Sequence, residues 1–154
     1  MKKHILFLVL LSFSLGCVGV KIPKYLSQKS PYAKKLYVNF EEAVRLTEKA
    51  LTDLKWSIDE KVDPAMYEQD MASLEPDQKR IMIFTKVRQT PLFLGTCYAK
   101  MNILLNASND GTTQMEIRYL TVNSFTVRNI ESYKNEAAAN KIFEYIDRLI
   151  KEGQ

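Results

Sequence analysis

Between Phe40 and Leu54 the side chains that favour burial return every third or fourth residue. Phe40, Ala43, Val44, Thr47, Ala50, Leu51 and Leu54 form one stripe, which predicts a helix ending near Trp56. Asn39 stands where an N-cap belongs and Glu42 can answer it three residues on, a capping-box arrangement. Glu41 and Glu42 in the first turn, with Lys49 and Lys55 toward the end, suit the helix dipole. A second stripe, Ala138, Ala139, Ile142, Phe143, Ile146, Leu149 and Ile150, predicts a last helix over residues 137–151, with Ser132 able to start it.

Elsewhere the pattern shortens to a period of two. Residues 35–39 read as a short strand with Leu36 and Val38 on one face, and residues 57–62 as an edge strand. Residues 63–78 carry an Asp63-Pro64 breaker and a Glu75-Pro76-Asp77 turn, so they read as a loop with at most one helical turn. Residues 79–89, 96–107 and 112–122 follow as strands. The last two flank Ser108-Asn109-Asp110-Gly111, a turn signal that makes them a hairpin. Cys97, Ala99, Met101, Ile103 and Leu105 share one face, continued by Met115, Ile117, Tyr119 and Thr121. The order β-α-β-β-β-β-α predicts an α+β fold: a two-layer sandwich, mostly antiparallel, with both helices on one face of the sheet.

The first residues follow a different logic. Lys2 and Lys3 precede an apolar run over residues 5–11, and small residues lead to Cys17. This is the three-part plan of an export signal, with residues 1–16 as the signal peptide. The run is too short for a bilayer span, which needs about 20 apolar residues. Ser14-Leu15-Gly16-Cys17 resembles a bacterial lipobox, in which signal peptidase II cuts before a diacylglyceryl-modified cysteine. Ser14 stands where leucine is usual, with Leu15 one place later. The resemblance implies lipidation at Cys17 and a place in the cell envelope. Val18, where aspartate would favour retention at the inner membrane, points to the outer membrane. An ordinary secretory signal or a short N-terminal anchor, with an incidental cysteine, is the alternative.

Residues 18–36 hold Lys21, Lys24, Lys29, Lys34 and Lys35, no acid, and Pro23 and Pro31. They read as a basic tether, residues 17–34 in the domain plan, solvated or lying on anionic headgroups. Residues 35–154 then form the folded domain. Removing residues 1–16 from the 154-residue chain takes away the single histidine, His4, and two of 22 basic residues against 18 acidic ones. What remains has no histidine and, once Cys17 is acylated, one free thiol. Ser-His-Asp and Cys-His catalysis, histidine metal sites and an internal disulfide framework are excluded. With 46% apolar and 26% charged residues the composition is globular.

Phe40-Glu41-Glu42-Ala43, Ala50-Leu51, Trp56-Ser57-Ile58 and the amphipathic segment 137–151 together resemble a plan found in uncharacterised proteobacterial envelope lipoproteins and in BamC-like domains. The resemblance spans residues 35–151 and is one of apolar positions. It implies an accessory or scaffolding domain of the envelope with a protein partner there, and it brings no catalytic residue.

Candidate chemistry is sparse. Thr90-Pro91-Leu92-Phe93-Leu94-Gly95 reads as a loop, yet Leu92, Phe93 and Leu94 sit inside it. Pro91, Leu92, Phe93 and Leu94 are therefore the candidate contact with a partner or a membrane, unless the loop folds back on the domain or a strand runs further than placed. Cys97 reads as a buried strand residue rather than a nucleophile. Asp59, Glu60, Asp63, Glu68, Asp70, Glu75 and Asp77 match no calcium loop and read as a solvated acidic segment. Arg80, Lys86, Arg88, Arg118 and Arg128 could line a basic face for an anionic envelope molecule, although ordinary surface charge explains them better. Export and a net charge of only +2 after processing argue against nucleic acid. The expectation is a non-catalytic interaction domain without cofactor or metal. The alternative is a binding module for a small apolar or lipidic ligand between sheet and helices, which needs a cavity of about 300 Å³ or more.

Overall fold

The computed structural model describes residues 19–27, 31–68, 78–125 and 128–153. Residues 1–18 lie outside them, and with them the signal peptide, Cys17 and Val18. Along the described chain run β1 (Tyr32–Leu36), α1 (Phe40–Asp53), β2 (Ile58–Val62), a 3₁₀ turn (Pro64–Met66), β3 (Arg80–Thr85), β4 (Arg88–Leu92), β5 (Gly95–Ala107), β6 (Thr113–Phe125), β7 (Asn129–Ser132) and α2 (Glu136–Glu152). The seven strands form one antiparallel sheet in the order β1-β6-β5-β3-β2, with β4 on the edge of β5 and β7 on the edge of β6. The fold is α+β, as the periodicities predict.

Both helices cover one face. Ala43, Leu46, Ala50 and Leu51 of α1 and Ala139, Ile142, Phe143 and Ile146 of α2 pack with Met101, Ile103, Leu105, Met115 and Ile117 of the sheet. Asn39 caps α1 by accepting the Glu42 N–H at 2.9 Å, while the Glu42 carboxylate turns to Arg45. At the other end Lys55 adopts φ 63°, and the Trp56 and Lys55 N–H groups reach back to Leu51 and Thr52. That left-handed closure drops Trp56 onto Tyr119, edge to face at 6.2 Å. Asn135, not Ser132, caps α2, because Ser132 is the last residue of β7.

β1 begins at Tyr32 rather than Lys35, since its partner on β6 is the stretch from Thr113 to Ile117. The strand expected over residues 79–89 is two. Pairing shifts by one between Phe84 opposite Asn102 and Arg88 opposite Ala99, so a bulge separates β3 from β4. There the Thr85 hydroxyl accepts the Met101 N–H at 2.9 Å and so takes over a ladder position.

The largest departure from expectation is the tether. Of its described residues, 19–27 form a third layer lying on the face of the sheet opposite the helices, and 32–34 belong to β1. Leu26 is 1% exposed and packs with Leu120 and Val122, flanked by Val20, Ile22, Tyr98 and Tyr133. Beside it Tyr25 and Tyr67 cover Met82, Phe84 and Leu104. Tyr98 and Leu104 of β5 and Leu120 and Val122 of β6 are apolar on this second face, so both faces need cover. Lys21 and Lys24 in this segment do not prevent packing, because the backbone beside Leu26 finds partners on the sheet and Lys24 pairs with Glu60 at 2.7 Å.

Candidate interaction surface

The sheet outruns its helices at one end. β5 and β6 are 13 residues each and pair along their whole length, from Ala107 opposite Thr113 to Gly95 opposite Phe125. α1 and α2 cover the half nearer Thr113. In the other half, β4 and β7 take the edges that β3 and β1 hold further along. The result is a four-stranded end, β4-β5-β6-β7, whose β4 side chains are exposed from Arg88 to Leu92.

The Pro91–Leu94 candidate sits at the tip of this end. Leu92 pairs with Gly95, so only Phe93 and Leu94 make the turn: a tight hairpin rather than a loop. Phe93 is 99% exposed and Leu94 68%. The strand runs past residue 89 to Leu92, but the extra length does not fold the tip back; it carries it outward. Pro91 stands on the outer strand, whose other edge pairs with none of the described strands, where a missing N–H costs least. Gly95 is required by close approach, because a Cβ there would sit 2.0 Å from the Ser124 carbonyl oxygen. Ile130 of β7 and Val87 beside the bulge add smaller exposed apolar surface toward the same end.

Other candidates have structural partners. Arg118 does not line a basic face; it is 1% exposed beneath the N-terminal segment. It pairs with Glu68 and, at 2.5 Å, with Glu116, and donates to the Tyr25 hydroxyl at 2.9 Å. Burial by itself opposes its charge, and the hydrogen bonds to Glu68 and Glu116 outweigh that, so the guanidinium is held above its ordinary range. Arg88 lies over the Trp56 ring at 5.4 Å, Arg80 faces Asp63, and Lys86 and Arg128 are exposed at separate places. A single basic face is therefore not formed. Lys100 is buried over the Phe84 ring at 5.7 Å, and desolvation lowers its pKa.

Of the acidic residues, Glu68 is buried on Arg118, Glu60 meets Lys24, and Asp63 caps the 3₁₀ turn by accepting the Ala65 N–H at 2.9 Å. Asp70, Glu75 and Asp77 lie outside the described residues. Among the described residues no three or more Asp, Glu, His or Cys side chains gather as a metal site. Cys97 is half-buried on β5, between Thr90 and Asn123. Leu46, Leu51, Met101, Ile103, Ile142 and Ile146 fill the space between sheet and helices. Two grooves lie outside it, along β1 and α2. One, of about 450 Å³, is lined in part by Tyr32, Lys34, Phe143 and Glu144; the other, of about 250 Å³, by Leu36, Tyr37, Asp147 and Ile150.

Compared with protein-family models and with curated proteins, the chain matches none.

Proposed function

We propose that the protein is a lipid-anchored, non-catalytic interaction domain of a bacterial cell envelope, an accessory part of a larger assembly, with the tip at Pro91, Leu92, Phe93 and Leu94 as its contact with a partner or a membrane. The observation that carries this reading is Phe93. A phenylalanine 99% exposed on a two-residue turn contributes nothing to the stability of its own domain, yet two paired strands and a glycine chosen by close approach hold it out. Exposed aromatic and aliphatic residues gathered at one place are the mark of a contact surface. The lipobox-like Ser14-Leu15-Gly16-Cys17 supports the anchor and the envelope, with the outer membrane favoured by Val18.

Two measurements in intact cells test it. Radiolabelled palmitate should enter the wild-type chain and not Cys17→Ala, which should also leave the membrane fraction. A photo-activatable residue at position 93 should give one defined adduct, with a protein or with lipid. Unchanged labelling and retention in Cys17→Ala would remove the anchor, and no adduct at position 93 would remove the contact surface.

A further inference from the structure

We propose that the occupant of the Phe93 and Leu94 tip is the bilayer that carries the Cys17 anchor, so that the domain stands on its membrane through two contacts at one end of the sheet. This rests on the lipid-anchored reading above and adds an orientation to it.

The path of the chain carries the argument. The Gly19 carbonyl accepts a hydrogen bond from the Asn129 side chain at 3.4 Å. Asn129 pairs with Ser124, and Ser124 with Thr96, next to the turn. The chain thus enters the domain at the tip end and runs from there to Leu26, at mid-sheet. Cys17 is two residues before Gly19 and can stray at most about 7 Å from it, even fully extended. The 13 residues of β5 span roughly 40 Å. An anchor with about 7 Å of play cannot bring the far end of a 40 Å sheet to the membrane.

Lateral distances agree. Asn129 and Thr96 are two strands apart, or about 10 Å. Beyond Gly95 and its partner Phe125, β5 continues only into the turn residues Leu94 and Phe93. A bilayer holding the acyl chains of Cys17 therefore passes directly under the one part of the hairpin that is apolar and exposed. Lys21, close to Gly19, and Arg128, whose carbonyl accepts from the Phe125 N–H, are exposed at this end as well. Apolar tips beside cations suit an anionic interface. The acyl chains supply affinity, and the tip supplies direction. Without it the domain pivots on two residues; with it the Ser108 to Gly111 turn points away from the membrane, toward any protein partner.

The test uses the full chain carrying Phe93→Trp, exported, extracted from membranes and reconstituted into vesicles of phosphatidylethanolamine and phosphatidylglycerol with brominated acyl chains. Wild type, whose single tryptophan is the buried Trp56, is the reference. Mass spectrometry of the N-terminal peptide reports acylation of Cys17. A side chain seated about 5–10 Å into the interface should lose roughly half its emission relative to unbrominated vesicles, while Trp56 keeps its own. Acylated protein whose tip tryptophan is unquenched overturns the bilayer seat and leaves the anchored reading standing. Cys17 without acyl chains overturns both. Leu94→Trp reads the same tip should Phe93→Trp express poorly.

Discussion

Asn102 and Arg118 stand opposite one another on β5 and β6, and between them they hold both backbone polar groups of Leu26. The Asn102 side-chain oxygen accepts the Leu26 N–H at 2.6 Å, and Arg118 donates to the Leu26 carbonyl at 3.3 Å. Asn102 also donates to the Lys24 carbonyl at 3.3 Å. Two facing side chains thus do for residues 24–26 what a neighbouring strand would do. Asn102→Ala leaves a buried N–H without its partner, which should cost about 1–3 kcal/mol. Urea denaturation measures the loss, and amide exchange should quicken across residues 20–26 before it does so in β5. Unchanged exchange there would mean that apolar contact alone holds the layer.

The tip hairpin makes a second demand. Since a Cβ at Gly95 would meet the Ser124 carbonyl oxygen at 2.0 Å and its carbon at 3.0 Å, Gly95→Ala must push two paired backbones apart. Forcing a group into occupied space costs about 1–3 kcal/mol. The damage should stay local, with chemical-shift changes from Leu92 to Ala99 and in β6 from Thr121 to Phe125. A melting temperature equal to wild type would show that the strands can separate without strain.

Much of this fold is legible in the chain. The stripes of α1 and α2, the Asn39 cap and the Ser108 to Gly111 turn are local signals, and each places its element within a few residues. The Phe93 tip is legible too, because Pro91 and Gly95 bracket an apolar triplet. What escapes is what depends on partners distant in sequence. Residues 19–27 read as a tether because their lysines and prolines are conspicuous. Their burial is decided by Asn102, Arg118 and Leu120, of which Asn102 is 76 and Arg118 92 residues beyond Leu26. The signal that could have found it is the second apolar file, Tyr98, Leu104, Leu120 and Val122, which requires a cover that two helices on the opposite face cannot give. Arg118 was hidden for the same reason: a charge between apolar neighbours reads as surface until Glu68 is brought against it. The β3–β4 bulge has no sequence mark beyond Thr85 and the exposed pair after it.

Stability should respond to acid and stay level through neutrality. The Lys35 ammonium, with the Thr112 hydroxyl and N–H, holds the Asp110 carboxyl well below the usual range. Lys79 lowers Glu41, Arg45 lowers Glu42, and Lys49 with Tyr145 lowers Asp53. Carboxyls lowered by folding contribute stability that is complete above their unfolded values, about 3.9 for Asp and 4.3 for Glu, and lost as pH falls through the folded ones. Urea midpoints should therefore hold from about pH 8 to 5 and fall below about 4, with no histidine in residues 19–153 to bend the plateau. All four groups are exposed, so salt should flatten the acid limb. Asp110→Asn should flatten it further, and an acid limb identical in that variant would remove the Lys35 pair from the account.

Glu68 and Arg118 test what the buried ion pair is for. Both side chains are almost wholly enclosed, at 7% and 1% exposure, and the Arg118 Nη2 has no hydrogen-bond partner among the described residues. Removing one member should be severe: Glu68→Ala leaves a buried guanidinium with Glu116 as its one carboxylate partner, at a cost of about 3–5 kcal/mol. Arg118→Met should be as costly at pH 7, because it leaves the Glu68 and Glu116 carboxylates without the cation they share. Combining Arg118→Met with Glu68→Gln removes both charges and should recover most of the loss, since well-packed neutral groups replace buried ion pairs at little cost. A double variant as unstable as the sum of its parts would mean that the pair is not coupled, and that Arg118 acts only through Leu26 and Tyr25.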